Sequence, residues 1–216
     1  MGPFVILGFA MKRVIAYVDG FNFYAGISEF VKKHPNALAH NKIDLSHLIE
    51  NHLLHEGESL EAVKWYSAIP PVNRHDPVQK AKIDRHHDYR RDLEATEVLT
   101  RISGFKKRIT KCKSCGKTTK SQQEKESDKR CSLEMLEDAF YDRMDRALLF
   151  SSDSDFVPAL YSLHRHSEHR TIDVVICPPP GRESPAKTIL GACNDLFATK
   201  PRYTRRKALV DSLLSS

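Results

Sequence analysis

Apolar and polar positions along this chain follow two rhythms. Short apolar runs fall at 14–18 ("VIAYV"), 62–69 ("AVKWYSAI"), 146–152 ("RALLFSS") and 171–180 ("TIDVVICPPP"). Their lack of alternation predicts strands buried on both faces. Between them lie stretches of helical period. One helix is expected over about 22–33, ending near Pro35, and another over 44–55, where Leu45, Leu48, Ile49 and Leu53 share a face. A long polar helix is expected over 76–99, with Asp76 as cap before Pro77. Residues 126–144 ("ESDKRCSLEMLEDAFYDRM") follow, with Cys131, Met135, Leu136, Asp138-Ala139 and Phe140 assigned to the apolar stripe. Helices over 156–167 and 185–197 complete the series, the last leading to a terminal strand. "TRISGFKKRIT" (100–110) reads as a short strand, and "KCKSCGKTTKSQQ" (111–123) as turn-like. Strands alternating with helices predict crossover units on a central, mainly parallel sheet: one α/β, Rossmann-like domain flanked by helices.

Composition agrees with that fold class. The chain has 216 residues, 40% hydrophobic and 29% charged, enough for one real core. No run reaches the ~18 apolar residues of a membrane helix. "MGPFVILGFA" reads as part of an N-terminal extension (1–11), not a signal peptide. The domain is expected over 12–198, with a basic tail over 199–216 that includes Arg202, Arg205, Arg206 and Lys207. Five cysteines, an odd number, fit a reduced, cytoplasmic setting.

Charge sharpens the picture. The net charge is +6, and no acid occurs from Val98 to Gln123 once Glu97 is passed. Arg101, Lys106, Lys107, Arg108, Lys111, Lys113, Lys117 and Lys120 all lie in that stretch. Such a run suits a polyanion, although a solvated charged face has the same composition.

Acids stand where ligands bind in a parallel sheet, beyond the carboxyl ends of its strands. The first strand runs into Asp19-Gly20-Phe21-Asn22, and a later one into Ser151-Ser152-Asp153-Ser154-Asp155. Asp128 begins the helix that feeds the second of these. Adjacent carboxylates repel unless a cation or proton sits between them, and Mg²⁺ or Mn²⁺ takes such oxygen ligands. Taken singly, Asp19, Asp128 and Asp155 are each equally at home as helix-capping residues.

The order "VIAYVDGFNFY", "CKSCGK…EKESD", "LLFSSDSDFVPAL", "VVICPPPGR" resembles the NYN domain family, in its LabA-like branch of the PIN-like nucleases. The resemblance implies a PIN-like fold, an acidic pocket for Mg²⁺ or Mn²⁺, and metal-dependent endonucleolytic hydrolysis of RNA. By position it implies metal ligation by Asp19, Asp128, Asp153 and Asp155, with Asn22 in the same catalytic pocket. Ser152 stands where the family usually has Gly or Asn. Lys129 follows the helix acid and either contacts phosphate or pairs with Glu126. Single-stranded RNA would approach over Arg101, Lys106, Lys107, Arg108, Lys111 and Lys113. The alternative function is an RNA-binding or regulatory module of the same fold that does not cleave.

Cys112-x-x-Cys115, inside a basic insertion loop over 110–123, has half the ligands of a structural zinc site. Cys131 and a histidine, or a second chain in a homodimer, would supply the rest; a turn with reduced thiols needs neither.

Overall fold

The computed structural model describes residues 11–36, 43–69, 76–111, 114–124, 126–166, 172–181 and 186–196. Strand β1 (Lys12–Asp19) enters the core at once and is buried from Val14 onward. Helix α1 (Gly20–Lys33) follows without a linker, then α2 (Leu45–His52), β2 (Glu58–Ala68), α3 (Pro77–Ala95) and β3 (Leu99–Ser103). A two-stranded ribbon comes next, β4 (Phe105–Lys111) and β5 (Thr118–Glu124). The chain closes with α4 (Ser127–Phe140), β6 (Arg146–Phe150), a 3-10 turn (Ser154–Phe156), α5 (Val157–His166), β7 (Asp173–Ile176) and α6 (Lys187–Leu196).

Five strands form one parallel sheet in the order β3-β2-β1-β6-β7. After β1 the chain moves one way across the sheet, and after β6 it moves the other way. Crossovers of one hand that travel in opposite directions must lie on opposite faces. The two cores follow this rule. On one face Phe23, Ile27 and Phe30 of α1, Leu45, Leu48 and Ile49 of α2, and Tyr89 and Leu93 of α3 pack on Val14, Ala16, Val18, Val63, Trp65, Leu148 and Phe150. On the other, Cys131 and Met135 of α4, Leu160 and Leu163 of α5, and Ile189 and Ala192 of α6 cover Ile15, Tyr17, Ala147, Leu149, Val174 and Ile176. The crevice between β1 and β6 is therefore the point where strand order reverses, the usual ligand position in such sheets.

Local chemistry explains the helix starts. Asp19, Asp44 and Asp76 each cap a helix, accepting backbone N–H bonds from Asn22, His47, and Val78 with Gln79 respectively. Helix α4 begins differently. Glu126 occupies the left-handed region at φ 85° and offers no side-chain cap.

Several elements depart from expectation. Strand β2 starts at Glu58, four residues before the apolar run, because its first residues are only half-buried and carry little apolar signal. The segment 110–123, expected as a loop, contains the end of β4 and most of β5, paired antiparallel from Phe105↔Glu124 to Lys111↔Thr118. The ribbon joins no strand of the main sheet. Its threonines and Ile109 favour strand, but Ile109 is exposed and the run is mostly polar, so hydropathy alone does not reveal it. Helix α4 ends at Phe140, which is 64% exposed instead of belonging to the apolar stripe. The expected terminal strand lies outside the described residues, as do residues 1–10 and 199–216.

Candidate active site

Asp19 is the last residue of β1, and Gly20 is already the first of α1. That abrupt join needs glycine. A Cβ on Gly20 would lie 2.7 Å from the Trp65 ring and from the Tyr66 carbonyl oxygen. Helix α1 can thus start hard against β2 and hold the Asp19 carboxylate at the sheet rim. Asp19 is 7% exposed. Its Oδ1 accepts the Asn22 backbone N–H at 3.1 Å, and its Oδ2 accepts the Ser151 hydroxyl at 2.9 Å.

Ser151 carries the connection across to the neighbouring strand end. It is fully buried just beyond β6, and its Oγ also accepts the Asp153 N–H at 3.1 Å. Asp153 Oδ1 in turn accepts the Asp155 N–H at 3.1 Å and caps the 3-10 turn. Asp153, not Asp155, is therefore the capping residue here. Asp128 does not cap either: it lies inside the first turn of α4.

The four acids sense one another. Burial first, and then the charges of Asp128 and Asp153, push the Asp19 carboxyl up to about 6, against the opposing pull of the Asn22 and Ser151 hydrogen bonds. Burial, with the charges of Asp153 and Asp155, also raises Asp128. Among the described residues no Lys, Arg or His forms an ion pair with any of these four acids. Two polar oxygens nearby in sequence are buried with no partner among the described residues, Asn22 Oδ1 and Ser152 Oγ. Under this rim the Cys131 thiol is fully buried, and burial raises its pKa, a setting for an inert core thiol. Among the described residues no three His, Cys, Asp or Glu side chains are grouped closely enough to hold a metal ion.

A family model for the NYN domain matches residues 13–198. The chain belongs to the NYN domain family. The match spans both strand ends and the helix acid, so the PIN-like nuclease-type fold of the family and the acidic rim fall within one domain. No curated protein matches the sequence. A crystal structure of a protein of unknown function from Vibrio parahaemolyticus is similar, with a TM-score of 0.50 at 16% identity. The alignment covers 86% of this chain and 91% of that one, and it speaks to the fold alone. No described helix of this NYN domain is long and apolar enough to cross a membrane.

The basic candidates divide into three groups. Lys106, Lys107, Arg108 and Lys111 lie on β4 of the ribbon, and Lys113 falls outside the described residues. The ribbon is tied to the site at its base, where Phe105 meets Phe21 edge-on at 6.2 Å between ring centres. Lys129 is exposed, and among the described residues it forms no ion pair with Glu126; the neighbouring Arg130 pairs with Glu134 instead. Arg101, on β3, is bound to Glu134 of α4 at 3.1 Å. Cys115 is exposed in a turn, whereas Cys112 is outside the described residues.

Three features of this face are not read from sequence. Ser151 bridges two candidate ligands, and only its place in S-x-D-S-D hints at that role. Asp138, assigned to an apolar stripe, is indeed buried but as a charge, held by Lys64 at 2.5 Å, the Tyr17 hydroxyl at 2.6 Å and Arg143 at 3.2 Å. Glu134 gathers Tyr66, Arg101 and Arg130. A lysine within the apolar "AVKWY" run is the available signal, since a buried Lys requires a partner.

Proposed function

We propose that this NYN domain is a metal-dependent endoribonuclease. The observation that carries the reading is a buried carboxylate, Asp19, beside two further acids at a strand-order reversal, with no cation among the described residues to compensate it. A folded chain does not keep such a charge cheaply. The donors suit Mg²⁺ or Mn²⁺ in chemical type, since carboxylate oxygens of Asp19, Asp128, Asp153 and Asp155, and the Asn22 Oδ1 that has no partner among the described residues, are hard ligands. No three of the acids stand close enough to share an ion as they are placed, so binding one requires their side chains to draw together. Such an ion, when bound, supplies the charge that polarises a phosphoryl oxygen and eases deprotonation of an attacking water.

The chain's own residues supply the rest. Ser151 and the Asn22 N–H each occupy one Asp19 oxygen and fix the carboxylate plane. Each oxygen keeps a second lone pair free for a ligand. Ser151 also ties the Asp153 backbone to Asp19, so the two strand ends move as one unit. Burial and the charges of Asp153 and Asp155 make the Asp128 carboxyl keep its proton to higher pH than a free aspartate would. RNA is held over the basic ribbon, whose Lys and Arg residues neutralise phosphates. Phe21 and Phe105 at its base offer ring faces or edges to unpaired bases.

The test is cleavage of single-stranded RNA with Mn²⁺ or Mg²⁺ by the wild-type protein, Asp19→Asn and Asp153→Asn. Cleavage by wild type alone, with RNA binding retained in all three, supports the proposal. Binding without cleavage in every divalent metal favours the non-catalytic RNA-binding reading and overturns it.

A further inference from the structure

Across the three strands on one side of the crevice, register places Asp19 beside Tyr66 and Tyr66 beside Arg101. Adjacent strands are about 4.8 Å apart, so Arg101 is roughly 10 Å from Asp19 along the rim. Tyr66 and Arg101 both bond to Glu134, so both face α4. Arg130, one turn before Glu134 on that helix, bonds the same carboxylate at 3.0 Å. Two guanidinium groups are therefore fixed side by side on a single Glu134, itself only 17% exposed.

The charges there do not balance. Lys64 lies 3.8 Å from Glu134 but is committed to Asp138 at 2.5 Å, and Asp138 also accepts Arg143. Glu134 is left to neutralise two arginines, leaving a surplus positive charge. Donors remain as well. Among the described residues Arg130 uses only its Nε, toward Glu134, leaving both Nη groups. Arg101 uses Nε toward Glu134 and Nη1 toward the Thr100 carbonyl, leaving Nη2. The two side chains are 30% and 48% exposed, so these donors reach solvent. Forked, fixed guanidinium donors with surplus charge match a phosphate.

We infer that Arg101 and Arg130, splayed by Glu134, form a phosphate subsite flanking the acidic centre, which receives a neighbouring backbone phosphate of the RNA. The inference rests on the ribonuclease reading for its substrate. It also gives the strand a direction, from the acids across β2 toward β3, where Gly104 joins β3 to the basic ribbon. Glu134 acts here as a positioning residue: it touches no substrate and sets the angle between the two guanidinium groups.

The experiment measures binding of single-stranded RNA in EDTA across a range of salt, so that cleavage plays no part. Wild type is compared with Arg101→Gln, Arg130→Ala, the double variant, and Arg91→Ala on α3 as control. The slope of log affinity against log salt becomes shallower by about 0.7 for each single-strand phosphate that the protein no longer neutralises. The expected slopes are therefore shallower by about 0.7 in each single variant and by about 1.4 in the double, with Arg91→Ala unchanged. Arg130 is on the helix surface, so its variant keeps the test valid even where Arg101→Gln loses stability. Oligonucleotides with and without a terminal phosphate separate the two sources of the anion: equal slope changes identify an internal diester. A change confined to end-phosphorylated RNA, or unchanged slopes in Arg130→Ala and the double variant, overturns the inference. Wild-type binding with the expected slopes but no cleavage on adding Mn²⁺ overturns the nuclease reading and leaves the subsite standing.

Discussion

Two buried carboxylates lie between the sheet and α4, Asp19 at the end of β1 and Asp138 on the helix itself, and they are treated in opposite ways. Asp138 is 1% exposed and surrounded by Lys64, the Tyr17 hydroxyl and Arg143. Asp19, nearly as buried, receives among the described residues only neutral donors, the Asn22 N–H and the Ser151 hydroxyl. A compensated buried charge holds the layers together. Under the proposed function, an uncompensated one with further acids beside it awaits a cation that the fold itself does not supply. The contrast then distinguishes a structural acid from a proposed functional one within one helix–sheet interface, where burial alone does not.

The largest effect expected from breaking the contrast is on activity. Asp19→Asn should reduce Mn²⁺-dependent RNA cleavage by about a thousand-fold or more, since the ion's charge stabilisation is worth several kcal/mol. Single-turnover rates check this, and circular dichroism should show the fold intact. Lys64→Met does the reverse. It removes the buried partner of Asp138, leaving it the Tyr17 hydroxyl and the more exposed Arg143, and should cost about 2–4 kcal/mol of stability in urea unfolding, with the rim acids untouched.

Next is the pH response of metal-free protein. Folding raises Asp19 from 3.8 to about 6, so the folded state favours its protonated form. The stabilisation is complete below about pH 4 and is lost as pH rises through about 6, in total roughly 3 kcal/mol. Urea midpoints across that window measure it. Asp19→Asn should flatten the profile, and its midpoint should exceed wild type's at neutral pH. Smaller again is Gly20→Ala. Its Cβ would press on Trp65 and the Tyr66 carbonyl at 2.7 Å, costing about 1–3 kcal/mol. Because the strain falls next to Asp19, cleavage should drop by more than the stability loss explains. Parallel thermal melts and rate measurements test that.

Much of the acidic rim was legible because its parts are covalent neighbours. Asp19, Gly20 and Asn22 sit within four residues after an apolar run, as do Asp153 and Asp155 after another, and strand ends in parallel sheets are where ligands bind. The sheet itself was legible because its central strands are apolar where they cross the core, although the start of β2 and all of β3 are not. The ribbon was not, since the β4 and β5 sequences are mostly polar and leave no hydrophobic period. Nor was the Arg101–Glu134–Arg130 grouping, which depends on the register of β3 and on which side of α4 meets the sheet. Ser151 was passed over for a similar reason: one hydroxyl says nothing until β1 and β6 are known to be adjacent. Asp19 does cap α1, as the alternative reading had it, and this leaves the proposed ligand role open, because a carboxylate can accept a backbone N–H and still have lone pairs to offer.

The most direct measurement of the central claim is calorimetric titration of Mn²⁺ into the metal-free protein between about pH 5 and pH 7, the window in which Asp19 changes charge. The account predicts saturable binding by wild type that tightens as pH rises and Asp19 gives up its proton, and that disappears in Asp19→Asn and in Asp153→Asn. No saturable binding by wild type, or binding undiminished when Asp19 is changed, would contradict it.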